Sequence, residues 1–204
     1  MKLHSYVVAR DYGFAPNPFY GVCTLATCKP RIRSVAQIED WVIGTGSKTR
    51  QRESYVVYAM RVTDSMTFEQ YWKDPRFQTK KPNLRGSKKQ AFGDNIYSKG
   101  ANGRWCQADS HHSFADGRPN PANLKSDTSA NRVLISDDFA YWGGSGPKLP
   151  RRFLNFGPEQ ANICAGRNHK NKFPDELVHE FVEWYRGLGE SGYCGEPEDW
   201  RRTP

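Results

Sequence analysis

Residues 55–62, Y-V-V-Y-A-M-R-V, are β-branched, aromatic and aliphatic almost without interruption. A half-buried strand alternates apolar and polar residues, whereas an unbroken apolar run of this length has to be covered on both faces. The run is therefore expected to be a central strand of a sheet. Just upstream, W-V-I-G-T-G (41–46) is a compact apolar strand ended by Gly44 and Gly46. The basic segment 47–54 between them reads as a charged connector joining two neighbouring strands.

Other elements assemble around this pair. Residues 3–10 read as a first strand that delivers Asp11 to its end, and R-V-L-I-S (132–136) reads as another, followed by Asp137 and Asp138. Residues 22–28 are too short for periodicity to choose between strand and helical turn. Residues 31–40 read as a polar turn, 77–99 as a basic loop and 119–131, rich in Pro, Asn and Ser, as a surface excursion. Thr67 and Gln70 fit a capping box that opens a helix with Phe68, Tyr71 and Trp72 on one side, stopped by Pro75. Residues 175–187 form an amphipathic helix, with Leu177, Phe181, Trp184 and Leu188 at helical spacing and acids at its start. The expected fold is a single α+β domain over residues 1–204, with a mixed or antiparallel, partly barrel-like sheet, a few flanking helices, long loops and a loosely held tail at 189–204.

Charge narrows the class of partner. Residues 1–104 hold 18 Lys and Arg against 8 Asp and Glu, while residues 105–204 hold 12 against 14. The whole net charge of +8 thus comes from the first half, the electrostatic footprint of a surface that meets phosphates, so DNA or a nucleotide is the expected partner. No run approaches a membrane span, and the N-terminal residues lack an apolar region of secretory length. Five cysteines, an odd number spread along the chain, make no disulfide framework; a cytoplasmic protein with free thiols is expected.

The chemistry concentrates in residues 11–33, D-Y-G-F-A-P-N-P-F-Y-G-V-C-T-L-A-T-C-K-P-R-I-R. Two glycines and three prolines make this path rigid without making it regular, which is where sites tend to sit. Cys28 precedes Lys29 and lies within five residues of Arg31 and Arg33, and cations of this kind favour the thiolate, the nucleophilic form. Such a thiolate could add to a pyrimidine ring. Asp11 is the carboxylate of the stretch. In S-H-H-S (110–113), His111 or His112 could carry protons, oriented by Asp94, Asp109 or Asp116; in extended chain the two rings would face opposite sides. Tyr12, Phe19 and Tyr20 offer stacking faces, and Lys29, Arg31, Arg33, Lys48, Arg50, Arg52, Lys88 and Lys89 offer phosphate contacts. Cys23 and Cys28, spaced C-x4-C, with Cys106, Asp109, His111 and His112 make only a loose metal pattern, and no metal is expected. No Gly-rich run has the context of a dinucleotide or phosphate loop, no Ser/His/Asp order matches a hydrolase signature, and no cofactor is indicated.

The opening stretch Y-V-V-A-R-D-Y-G-F-A-P-N-P-F-Y-G-V-C-T-L-A-T-C-K-P-R-I-R, with E-D-W-V-I-G-T-G-S-K, G-D-N-I-Y-S, W-C-Q-A-D-S-H-H-S and R-V-L-I-S-D-D-F-A-Y-W-G-G, resembles the nucleotide modification associated domain 2 family. That resemblance implies an α+β domain of bacteria and their viruses, linked by its genomic company to modification of DNA bases or nucleotides, with no established reaction and no catalytic residue to carry over. E-D-W-V-I-G-T-G followed by a basic loop and Y-V-V-Y-A-M-R-V-T-D also looks like consecutive strands of PUA-like barrels, which include readers of modified bases. Two functions follow as expectations. One is an enzyme acting on a nucleobase in a pocket around residues 11–33, with Asp11, Cys28, His111 and His112 as its reactive groups; the other is a non-catalytic reader using the same surface.

Overall fold

A computed structural model of the protein describes residues 1–166 and 168–202, the side chains of 201 and 202 excepted. In chain order run β1 (Leu3–Val7), β2 (Cys23–Leu25), α1 (Pro30–Val35), β3 (Trp41–Thr45), β4 (Val56–Arg61), β5 (Asp64–Met66), α2 (Phe68–Lys73), α3 (Lys88–Ala91), β6 (Tyr97–Lys99), β7 (Trp105–Gln107), α4 (Pro121–Thr128), β8 (Val133–Ser136), β9 (Asp138–Tyr141), β10 (His169–Lys170), α5 (Asp175–Gly187) and β11 (Gly192–Tyr193). They form two compact units interleaved in sequence. Met1–Asp11, Ala36–Val62 and the chain from Asp137 onward make one; Tyr12–Val35 and Thr63–Ser136 make the other.

The first unit is a six-stranded mixed sheet in the order β10-β1-β3-β4-β9-β11. The apolar run 55–62 supplies β4, antiparallel to β3 on one side and to β9 on the other, and Val56 to Met60 are all buried. Its central position follows from the missing polar face. Gly44 of β3 sits opposite Tyr58 of β4, where an added Cβ would come within 2.6 Å of the Tyr58 ring and of Val8, so the close approach needs glycine. Leu177, Phe181 and Tyr185, the apolar stripe of α5, bury against Trp41, Ile43, Ala59 and Ala140. Each such side chain removed from water is worth about 1.5–3 kcal/mol. The segment after α5 contributes β11, parallel to β9, and the buried Asp199.

The partly barrel-like, PUA-like expectation is corrected here. A barrel requires its first and last strands to pair. This sheet instead ends at β10 and β11, each two residues long, and β2, β8 and β5 form a separate three-stranded antiparallel sheet. The mixed sheet and flanking helices are as expected; the closure is not. No helix among the described residues is long and apolar enough to cross a membrane.

The second unit packs that smaller sheet, the β6-β7 hairpin and α1 to α4 around Phe14, Phe68, Tyr71, Phe77, Ile96, Tyr97 and Val133. The capping box at Thr67 and Gln70 forms at the start of α2 as read. Three helices stand where loops or turns were expected: α1 from Pro30, α3 behind a second capping box (Ser87 and Gln90), and α4, capped by Asn120. Counted by unit, charge divides more sharply than by half-chain. The first unit holds 15 cations and 15 acids, the second 15 and 7, so the entire +8 belongs to the second.

Candidate functional site

In the second unit the chain leaves β2, turns sharply and enters α1, and Cys28 and Lys29 form that turn with φ of 55° and 42°. Left-handed backbone at two non-glycine residues costs free energy and marks a place where surrounding structure dictates the path. A strand-to-helix turn of this kind lifts a nucleophile clear of the sheet. What holds it is α4. Asn120 accepts backbone N–H groups of Ala122 and Asn123, Pro121 occupies the first turn, and the helix carries Asp127, 2% exposed, toward the turn.

Asp127 organises the site. Its Oδ1 accepts the Cys28 backbone N–H at 2.8 Å, and its Oδ2 accepts the Tyr97 hydroxyl and His112 Nδ1, both at 2.8 Å. The other ring nitrogen, His112 Nε2, lies 3.7 Å from Cys28 Sγ. Gln107 and Asn123 side-chain amides hold the His112 carbonyl at 3.1 and 2.9 Å. Thiol, imidazole and buried carboxylate thus stand in the order used for nucleophilic catalysis, with the imidazole tautomer set by the acid behind it.

Electrostatics follow from the same contacts. Burial works to lower the His112 pKa, but the hydrogen bonds to Asp127 and Cys28 and their charges outweigh it and raise it to about 9. A group whose folded pKa lies above its unfolded value stabilises the fold fully below that unfolded value, near 6.5, and loses the contribution as pH rises through 9. The shift caps the effect at about 3 kcal/mol. Thermal melts between pH 6 and pH 10 are expected to show wild type losing stability across 6.5–9 relative to His112→Gln. Parallel curves would remove the imidazolium from the site.

Cys28, His112 and Asp127 also offer ligand atoms within 4.8 Å of one another. Both Asp127 oxygens already accept hydrogen bonds, so a metal here would take Sγ and Nε2 with Asp127 behind the imidazole, two ligands where a structural zinc site uses four. Cys23, the other half of the C-x4-C pair, is fully buried, and burial pushes its thiol up to about 12.

The remaining candidates divide between the units. Residues 110–113 form a turn, closed by the Ser113 N–H on the Ser110 carbonyl, so the two imidazoles do not face opposite sides: their rings lie 6.1 Å apart, inclined by 27°. His111 is exposed and packs, tilted or edge-on, in a ring cluster with Tyr12 (4.7 Å), Phe14 (5.2 Å) and Phe92 (5.1 Å), and Phe14 also lies against His112 (4.6 Å). Phe19 is buried, while Tyr20 is exposed in a left-handed turn. Lys29 is half-buried, and Arg31, Lys88 and Lys89 are exposed. Arg33 is fully buried and spends its guanidinium on the carbonyls of Cys28, Asp127, Ala130 and Arg132. Lys80, in the basic loop expected at 77–99, is equally buried, bonded to the Asn17 side-chain and backbone oxygens and the Val22 carbonyl; burial pulls it down to about 8 against the pull of Asp94.

Asp11 belongs to the first unit, where its carboxylate accepts the Tyr141 hydroxyl at 2.5 Å and the Glu198 N–H at 3.1 Å, and its own N–H donates to Asp199. Arg50 closes this clasp through Asp199 and Glu198. Arg52 lies over the Tyr55 ring at 4.4 Å, and Lys48 lines a surface cavity of about 390 Å³ with Gln51, Glu53, Ser54, Tyr55 and Lys148. Asp127 and Tyr97 had no place among the candidates. The Asn120-Pro121 pair, a helix start, was the signal that could have found Asp127.

The family model for nucleotide modification associated domain 2 matches residues 1–204. No curated protein and no solved structure matches the chain.

Proposed function

We propose that this chain, which belongs to the nucleotide modification associated domain 2 family, acts in nucleotide modification as a cysteine enzyme. Its nucleophile is Cys28, its proton carrier His112, and Asp127 is the carboxylate that orients the imidazole. The observation that carries this reading is the chain of contacts from Cys28 Sγ to His112 Nε2 and from His112 Nδ1 to Asp127. An inert, packed thiol has no use for an imidazole whose far nitrogen is fixed on a buried acid. Two further features support a nucleotide as the target. The whole net charge of +8 lies in the same unit, which favours an anionic partner, and exposed His111 with partly exposed Tyr12 and Phe92 offers aromatic surface beside His112 for a planar base.

The test is competitive alkylation followed by peptide mapping. With iodoacetamide at pH 7, half-buried Cys28 is expected to react at least tenfold faster than exposed Cys106 and Cys194. Nucleoside monophosphates or a short single-stranded oligonucleotide are expected to slow it, and salt to relieve the protection. Alkylation in order of exposure, Cys28 last and indifferent to nucleotides, would rule the reading out.

A further inference from the structure

We infer that the electrophile Cys28 attacks is an acyl carbon, an ester or amide carried by the substrate, so that the reaction is acyl transfer to water or to an amine. This deepens the proposed function and rests on it. Addition of a thiolate to a base ring and acyl substitution both begin with sulfur, but they ask different things of the acid–base group. In ring addition the protons move at ring atoms beyond the carbon that sulfur attacks, and nothing need depart from that carbon. In acyl substitution the departing nitrogen or oxygen is bonded to the very carbon that sulfur attacks, and the incoming water later arrives at the same carbon. One proton carrier held against the sulfur can serve both transfers.

The site is built in that way. Both nitrogens of His112 are committed, Nδ1 to Asp127 at 2.8 Å and Nε2 to Cys28 Sγ at 3.7 Å, so the ring is positioned for atoms adjacent to sulfur. None of the three carboxylates that sequence put forward takes that place: Asp109 is exposed, and the other two are engaged elsewhere. Asp94 is fully buried, accepting from Thr24 and Tyr71 at 2.7 Å, and Asp116 pairs with Arg118 on the surface. The turn that presents Cys28 also carries half-buried Lys29 as the next residue, and a cation near the sulfur favours the negative charge that develops on a carbonyl oxygen under attack.

The step balances without a cofactor. The reacting form is the pair in which the Cys28 proton already rests on His112: Sγ bonds to the carbonyl carbon, and the C–N or C–O bond breaks as His112 gives that proton to the leaving amine or alcohol. Water then gives a proton to His112 and attacks the thioester; the C–S bond breaks, releasing a carboxylic acid and restoring the thiol as the proton goes back to sulfur. An amine in place of water leaves an amide.

The probe is p-nitrophenyl acetate with the full-length protein at pH 7, followed by nitrophenolate release and peptide mass mapping. The expected result is a burst of about one equivalent and continued turnover, with acetyl on Cys28. Cys28→Ser and Cys28→Ala are expected to lose both, folding being checked by thermal melt. Asp127→Asn is expected to slow the steady phase at least tenfold more than the burst. Acetyl-Cys28 that accumulates without turnover, while iodoacetamide still labels Cys28 rapidly, overturns acyl transfer and leaves the nucleophile in place. Slow labelling by both reagents overturns the two together, and turnover surviving in Cys28→Ala overturns the inference.

Discussion

Replacing Asp127 by asparagine is expected to slow any Cys28-dependent turnover by roughly 10²–10⁴-fold, while the protein stays folded. The carboxylate accepts three hydrogen bonds from Cys28 N–H, Tyr97 O–H and His112 Nδ1. An amide of the same shape keeps one acceptor oxygen and turns the other position into a donor. Because Oδ1 and Oδ2 both accept now, at least one of those partners must lose its bond, and the one facing the new NH₂ is forced to change. If that partner is His112, Nδ1 has to become an acceptor, and the ring is held neutral with its N–H toward the thiol and no orienting anion behind it. With the anion gone, the influences that raise His112 to about 9 are reduced and burial acts with less opposition, so its pKa falls. Measuring alkylation and acetyl turnover of Cys28 from pH 5 to pH 10 separates the roles. A variant that loses thermal stability but keeps the wild-type pH profile and rates would make Asp127 a structural cap for the turn and nothing more.

How much of this was legible beforehand depended on which signals are local. β3, β4 and α5 were read because burial writes itself into periodicity: an apolar run for the central strand, an i, i+4 stripe for the docked helix. Cys28 and His112 were also named, one from neighbouring cations and the other from its place in a histidine pair. Their shared carboxylate was not, and two of the three acids considered in its place, Asp109 and Asp116, were nearer to the histidines in sequence. Asp127 sits on α4, a helix with no apolar stripe, whose turn-forming composition made it read as a surface excursion. Only its Asn cap and Pro start betrayed it. The barrel expectation failed for a different reason. Pairing of β3 with β4 was correct, yet a local strand pair carries no information about whether the distant edges β10 and β11 meet.

Arg33→Ala is expected to cost about 3–5 kcal/mol, a large part of the 5–15 kcal/mol that stabilises a typical domain. Sequence placed Arg33 among the phosphate contacts because it follows Lys29 and Arg31 in a basic stretch. Pro30 instead starts α1 there, and one helical turn puts Ile32 and Arg33 on the inner side while Arg31 stays in water. The buried guanidinium lies 5.3 Å from the centre of the Phe68 ring and donates to four backbone carbonyls: Cys28 at 2.9 Å, Ala130 and Arg132 at 2.6 Å, and Asp127 at 2.5 Å. Burial lowers its pKa to about 10 against the pull of Asp127, still well above neutrality, so the cation persists. Removing it takes the guanidinium donors from four carbonyls, of which Ala130 keeps the Arg132 N–H at 2.7 Å; each carbonyl left unsatisfied costs about 1–3 kcal/mol less whatever water recovers. Lysine offers a compact ammonium in place of a planar fork and cannot span the same acceptors, so Arg33→Lys should recover little. Urea denaturation gives the stability change. The functional consequence is separable, because Arg33 ties the carbonyl of Cys28 to that of Asp127. In the fraction that remains folded, Cys28 alkylation should lose its advantage over Cys106 and Cys194. A folded Arg33→Ala protein with wild-type Cys28 reactivity would show that the left-handed turn and α4 hold the thiol without this clamp.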